Sequence, residues 1–291
     1  MRDLIRPLWS GLPVLVLMLA CMPASTFHLS MSLQGKVSFL LDRDQLQYDT
    51  TILRRSKESL DLDRHQFLEI EFPTSRQSDI SVTETLDRTR AFTRELIKTP
   101  ALTKLGKDLW LLFPDRKESG LARDKWGANL PFTLTSIEGA LTDMAQQQAT
   151  PKCLLCPSPG FNIPEWIDIE KVSNRYPTTP VVIVNGNLDR LRNGYYPSFF
   201  YPELTRVSKR FYSKFTQALY LAPIAVSGDR FGGWLVRSGP SAPWEVYVKS
   251  APAGANKVEL ALISSTEKEL RGDESWKLAN AFYRQMTGKM F

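Results

Sequence analysis

Cys153 and Cys156 are the residues whose spacing comes nearest to a metal or redox motif. On an extended strand, however, residues three apart point to opposite faces, so the two thiols cannot grip one ion together. The third cysteine, Cys21, falls in an apolar amino-terminal run, and the two histidines are His28 and His65. That is too few ligands for a tetrahedral zinc site. It is also too little imidazole for a Ser-His-Asp or Cys-His mechanism, which needs a base beside its nucleophile. The glycine-bearing stretch Gly228-Asp229-Arg230-Phe231-Gly232-Gly233 lacks the Gly-Lys-Ser/Thr ending of a phosphate loop and runs into a strand pattern instead of opening a helix. The chain therefore calls for no metal and no cofactor, and it carries no catalytic signature.

Two weaker constellations remain. Asp115, Asn185, Asn187 and Asp189 stand just past the carboxyl ends of apolar runs, which is where an open α/β sheet binds small ligands. Asp and Asn also form turns at such places by bonding local backbone. Further on, Tyr195, Tyr196, Phe199 and Phe200 crowd a loop ahead of a segment bearing Arg206, Arg210 and Lys214. Aromatic anchors with a cationic rim suit docking on a membrane protein or an anionic lipid surface. The simpler reading has the aromatics finishing a core and the cations facing water.

The elements that would position these residues follow from periodicity. Phe67–Phe72 alternates strictly, placing Phe67, Glu69 and Glu71 on one face and Leu68, Ile70 and Phe72 on the other. Ser81 and Glu84 form a capping box for a helix to about Lys98, with Val82, Leu86, Leu96 and Ile97 inward. Apolar runs at 109–113, 153–156 and 181–184 have no polar break, as strands covered on both faces require. Helical patterns lie between them, at 121–126, from a second capping box at Thr135 and Glu138 through Met144, at 165–173 and at 204–215. The last third changes to strands joined by Gly- and Pro-bearing turns, at 218–224, 233–237, 244–249 and 258–263, before a helix over 274–287. The sum is a three-layer α/β domain: a mixed sheet, largely parallel in its first half, with an antiparallel carboxy-terminal extension and helices on both faces.

The 291 residues are 43% hydrophobic and 23% charged with a net charge of +6, near the globular average. Lys and Arg are interspersed with acids, which disfavours nucleic-acid binding. The amino terminus reads as a secretory signal over residues 1–26, with a basic start at Arg2 and Arg6 and an apolar run that ends at Ala24-Ser25-Thr26. That run is short of the roughly 20 residues of a spanning helix, so the mature chain is expected to have no transmembrane span. Phe27, with the basic, hydroxyl-rich residues after it, makes the leader resemble a bipartite plastid presequence. Residues 27–65 are then a transit segment and flexible arm, and 66–291 one domain. Ordinary secretion is the alternative.

The order of Phe67–Pro73 (FLEIEFP), Ser78–Phe92, Leu109–Asp115 (LWLLFPD), Val181–Asp189 (VVIVNGNLD), Arg210–Ile224 and Gly233–Val248, which contains APWEVY, resembles a cyanobacterial and plastid domain of unknown function. That domain occurs in the plant low-photosystem-II-accumulation stromal proteins and after some chloroplast adenylate kinases. Where the family usually has Asn-Pro after the central strand, this chain has Asn185-Gly186. The resemblance implies a stromal or thylakoid-surface accessory protein with photosystem or thylakoid partners, peripheral membrane association and no established catalysis. The alternative is a small-ligand carrier or enzyme using the crevice near Asp115 and Asn185.

Overall fold

The computed structural model describes residues 60–74, 81–127, 129–142, 149–226, 229–250, 259–270 and 272–287. The leader and most of the arm lie outside them. Nine strands form one sheet: β1 (Phe67–Glu71), β2 (Leu109–Phe113), β3 (Thr133–Ser136), β4 (Cys153–Pro157), β5 (Val181–Val184), β6 (Thr216–Val226), β7 (Asp229–Arg237), β8 (Trp244–Ser250) and β9 (Glu259–Thr266). Their order is β3-β2-β4-β5-β1-β6-β7-β8-β9. From β3 to β6 every pairing is parallel, and from β6 to β9 every pairing is antiparallel.

The alternation in β1 sets the layers. Leu68 and Ile70 join one apolar cluster with Phe92 and Leu96 of α1 (Val82–Leu96), Leu102 of α2 (Pro100–Thr103) and Ala122 of α3 (Arg116–Trp126). Phe67, by contrast, packs on the opposite face. That face is covered by α4 (Ile137–Thr142), α5 (Ile163–Arg175), α6 (Asp189–Arg192) and α7 (Pro202–Arg210). A third cluster lies under α8 (Gly272–Thr287), where Ala279 and Phe282 meet Tyr220, Leu235, Val246 and Val248. Cys153 belongs to the first cluster and Cys156 to the second, so the strand points the thiols apart as expected. Both are free and buried.

Several local expectations need correction. Ser81 does cap α1, accepting the N–H of Glu84 at 3.1 Å. The carboxylate of Glu84, however, goes to Arg88 one turn on. Val82 is 56% exposed, and the buried positions of α1 begin at Thr89 and Arg90. The segment at Thr135 is the edge strand β3, four residues of alternating burial paired with β2. Ser136, not Thr135, then caps α4 by accepting the N–H of Gly139 at 2.9 Å. The expected continuation through Met144 passes outside the described residues. The helix predicted over 204–215 ends at Arg210, and a 3-10 turn over Tyr212–Lys214 leads into β6. Tyr247, although it alternates with the charged Glu245 and Lys249 along β8, is fully buried in the first cluster. Leu60, within the stretch assigned to the arm, is also buried there.

Candidate functional site

β5 and β1 are parallel neighbours whose chains leave toward opposite faces, β5 into α6 and α7 and β1 into α1. Divergence of this kind opens a crevice beyond the strand ends. Asn185, Asn187 and Asp189 all meet there. Asn185 adopts a left-handed backbone, φ 51°, which Asn tolerates better than most residues. Its Oδ1 accepts the N–H of Phe72 at 3.0 Å, its Nδ2 donates to Thr89 Oγ1 at 3.0 Å, and its own N–H donates to the Ile70 carbonyl at 2.8 Å. The side chain thus ties β5, β1 and α1 together. Gly186 fits because a Cβ there would fall 2.3 Å from Ile183 Cγ2. Asn187, φ 54°, donates its N–H to Glu71 Oε2 at 3.1 Å. Asp115 is not part of this group. It follows β2, separated from β5 by β4, and caps α3 by accepting the N–H of Glu118 at 2.7 Å.

Sequence reasoning placed Glu69 and Glu71 on a face but missed what they build. On the helix-covered face where β1, β6 and β7 adjoin, polar residues separate the second and third apolar clusters. Glu69 is fully buried. Arg192 of α6 reaches its Oε2 at 2.7 Å, and Gln217 Nε2 donates to the same oxygen at 3.3 Å. Arg237 donates to Gln217 Oε1 at 3.0 Å and stacks its guanidinium 5.3 Å from the Trp244 ring. Asp189 accepts the Tyr220 hydroxyl and lies 3.5 Å from Arg192. Glu69 Oε1 has no hydrogen-bond partner among the described residues.

Burial pushes the Glu69 carboxyl up against the opposing pull of Arg192. Burial and then the charge of Glu69 raise Glu71 to about 8, the Asn187 N–H opposing them. Burial and the Asp189 charge hold the Tyr220 phenol well above its usual range. Glu71 can therefore give or take a proton near neutral pH. His65 lies at the other end of β1, and burial drives Cys153 up to about 12 and Cys156 higher still. Among the described residues no group of three or more His, Cys, Asp or Glu is arranged to hold a metal ion. The signal in the sequence was two acids at inward positions of a strand that helices must cover.

The aromatic loop lies beside this seam, between α6 and α7. Tyr196 is half-buried, its ring edge-on to Trp166 at 5.5 Å. The other aromatics do not finish a core: Tyr195 is 67% exposed, Phe200 70% and Phe199 87%. Phe199 and Phe200 touch each other, centroids 5.3 Å apart. Below the loop is a hollow of about 280 Å³ walled by Leu191, Tyr196 and Leu204, with Arg192 and Lys209 at its edge. The cations divide into two sets. Arg210 forms a two-pronged pair with buried Glu170, both contacts at 2.6 Å, and Lys214 stands 5.7 Å from the Phe67 ring. Arg206 and Lys209 are exposed and make no ion pair among the described residues.

No helix among the described residues is long and apolar enough to cross a membrane. Residues 53–275 match the family model for a domain of unknown function, DUF1995. No curated protein and no solved structure shows a significant match to the chain.

Proposed function

The chain belongs to the DUF1995 family, and since that membership brings no reaction with it, we propose that the protein is a non-enzymatic plastid accessory factor that docks on thylakoid membrane proteins, photosystem subunits foremost. One observation carries the reading: Phe199 and Phe200 project side by side into solvent on the loop leading into α7, whose Arg206 and Lys209 are exposed and make no ion pair among the described residues. Exposing two adjacent phenylalanines is costly unless a partner covers them. Aromatic anchors inside a charged rim are how interfaces concentrate their binding energy. The resemblance to the plant low-photosystem-II-accumulation stromal proteins, together with the leader, supports a plastid compartment and a thylakoid class of partner.

The test is co-sedimentation of the tagged protein with isolated thylakoid membranes, with subunits recovered by pull-down. Replacing Phe199 and Phe200 by Ala, or Arg206 and Lys209 by Glu, should lower association roughly tenfold while far-UV circular dichroism stays unchanged. Unchanged association in both pairs, or recovery of no photosynthetic subunit, would reverse the reading. Equal binding to protein-free anionic vesicles would move the target from protein to lipid headgroups.

A second reading, a small-ligand carrier or enzyme at the strand-end crevice, is favoured by the unpartnered Oε1 of Glu69 beside a carboxyl that titrates near neutrality. With Asp115 spent on a helix cap and Asn185 on three tethering bonds, that reading rests on Glu69, Glu71 and Asp189. A metabolite that raises the melting temperature of the parent protein but not of a Glu69→Gln variant would support it.

A further inference from the structure

At the opposite end of the sheet, where β2 and β3 begin, a hollow of about 360 Å³ opens between α1, α2 and α3. Its walls are Ile97, Leu102, Leu109, Trp126, Leu130 and Phe132. Leu102 and Leu109 form a sealed floor, whereas Trp126 and Leu130 stay partly exposed and mark the mouth. Trp126 stands edge-on between Phe113 at 5.8 Å and Phe132 at 6.1 Å, a stacked wall with little freedom to collapse inward. Lys107 Nζ donates to the Leu130 carbonyl at 2.6 Å, and the Thr133 hydroxyl donates to the Lys107 carbonyl at 2.9 Å. These bonds hold the loop before β3 open across the mouth. The volume lies at the lower end of the range for small-molecule sites, roughly 300–1,000 Å³.

Cations predominate at the lip. Arg94, in the last turn of α1, and Lys98, two residues past its end, line it, and Lys104 and Lys107 follow within the next nine residues of chain. The acids nearest in sequence are Glu95, which pairs with Lys98, and Asp108, which is turned away to Lys152 at 2.7 Å. Arg94 makes no ion pair or hydrogen bond among the described residues. Its guanidinium fork matches a carboxylate in shape and charge. A mostly apolar hollow with a cationic lip selects a molecule with an apolar tail and a single anionic head.

We propose that this hollow binds a free medium-chain fatty acid, its tail among Leu102, Leu109, Trp126 and Phe132 and its carboxylate on Arg94 and Lys98. The inference is independent of the docking surface, which lies on the other helical layer. The whole chain, titrated calorimetrically with dodecanoate and separately with dodecanol, tests both halves of the idea. Dodecanoate should bind saturably at one site. Replacing Arg94 and Lys98 by Ala should weaken dodecanoate roughly tenfold, about 1.4 kcal/mol, and leave dodecanol unchanged. Leu130→Trp, which fills the mouth, should abolish binding of both without lowering the melting temperature. No saturable binding, as when another stretch of chain or a second copy covers the hollow, overturns the proposal. So does dodecanoate affinity that is indifferent to both sets of substitutions.

Discussion

Glu71 is where a single residue sets a property of the folded state. Its carboxyl is raised to about 8 by burial and by the neighbouring charge of Glu69, whereas in the unfolded chain it titrates near its ordinary value of about 4.3. Between those two values the native state holds a proton that the unfolded state has released. Stability therefore falls as pH rises toward 8 and levels off above it. Gln mimics the protonated carboxyl and keeps an acceptor for the Asn187 N–H. Glu71→Gln should thus melt close to the parent at pH 5 and be more stable by roughly 2 kcal/mol at pH 9, less than the full shift implies because the group retains some solvent contact. Melting curves at pH 5, 7 and 9 measure it, and parallel curves for the two proteins would show that Glu71 does not titrate in this window. The two acids were visible in the sequence as members of one face of β1. Their chemistry was not, because it depends on Arg192, Gln217 and Tyr220, which arrive from 120 or more positions along the chain.

At the scale of elements, the alternation of β1, the unbroken apolar runs of β2, β4 and β5 and the cap at Ser81 were all legible, since each is written in consecutive residues. What failed was short or double-valued. Thr133–Ser136 reads equally as a cap and as a four-residue strand, and only its pairing with β2 decides. Likewise Asp115 reads as a ligand or a cap until the N–H of Glu118 is seen on its carboxylate. Layers also hide ion pairs that no local pattern reveals. Arg90 of α1 is buried against Glu118 of α3 and bridges to Asp87, which Lys125 also holds. Its pair with Glu118 fixes the two helices over β2 and β4. Truncating one partner strands the other charge in the interior, so Arg90→Ala or Glu118→Ala should destabilise by about 3–5 kcal/mol. Replacing Arg90 by Met together with Glu118 by Leu should cost far less. Urea unfolding of the three variants checks this, and additive losses in the double variant would mean the pair is not coupled.

Across the whole molecule, the polar seam runs along the same line as the change from parallel to antiparallel pairing. To one side, α4, α5, α6 and α7 cover the second apolar cluster, and to the other α8 covers the third. Taken alone, that face could divide into two lobes at β1 and β6. The opposite face does not divide: one cluster runs from Leu134 on β3 through Leu68 and Ile70 to Trp234, Tyr247 and Leu260 on β9. The backbone ladder crosses the line as well, with Leu68 to Glu71 in register with Thr216 to Tyr220. Separating the halves would expose that continuous layer along with the β1–β6 bonds, at a cost no seam of ion pairs offsets. Thermal unfolding should therefore be a single transition, with tryptophan fluorescence and far-UV ellipticity changing together. Both halves carry reporters: Trp110 and Trp166 on one side of the line, Trp234 and Trp244 on the other. Weakening the seam by Arg192→Ala should lower the midpoint without splitting the transition. A first phase seen by Trp234 and Trp244 alone would show that the antiparallel half folds as its own unit and that the shared layer does not bind the two together.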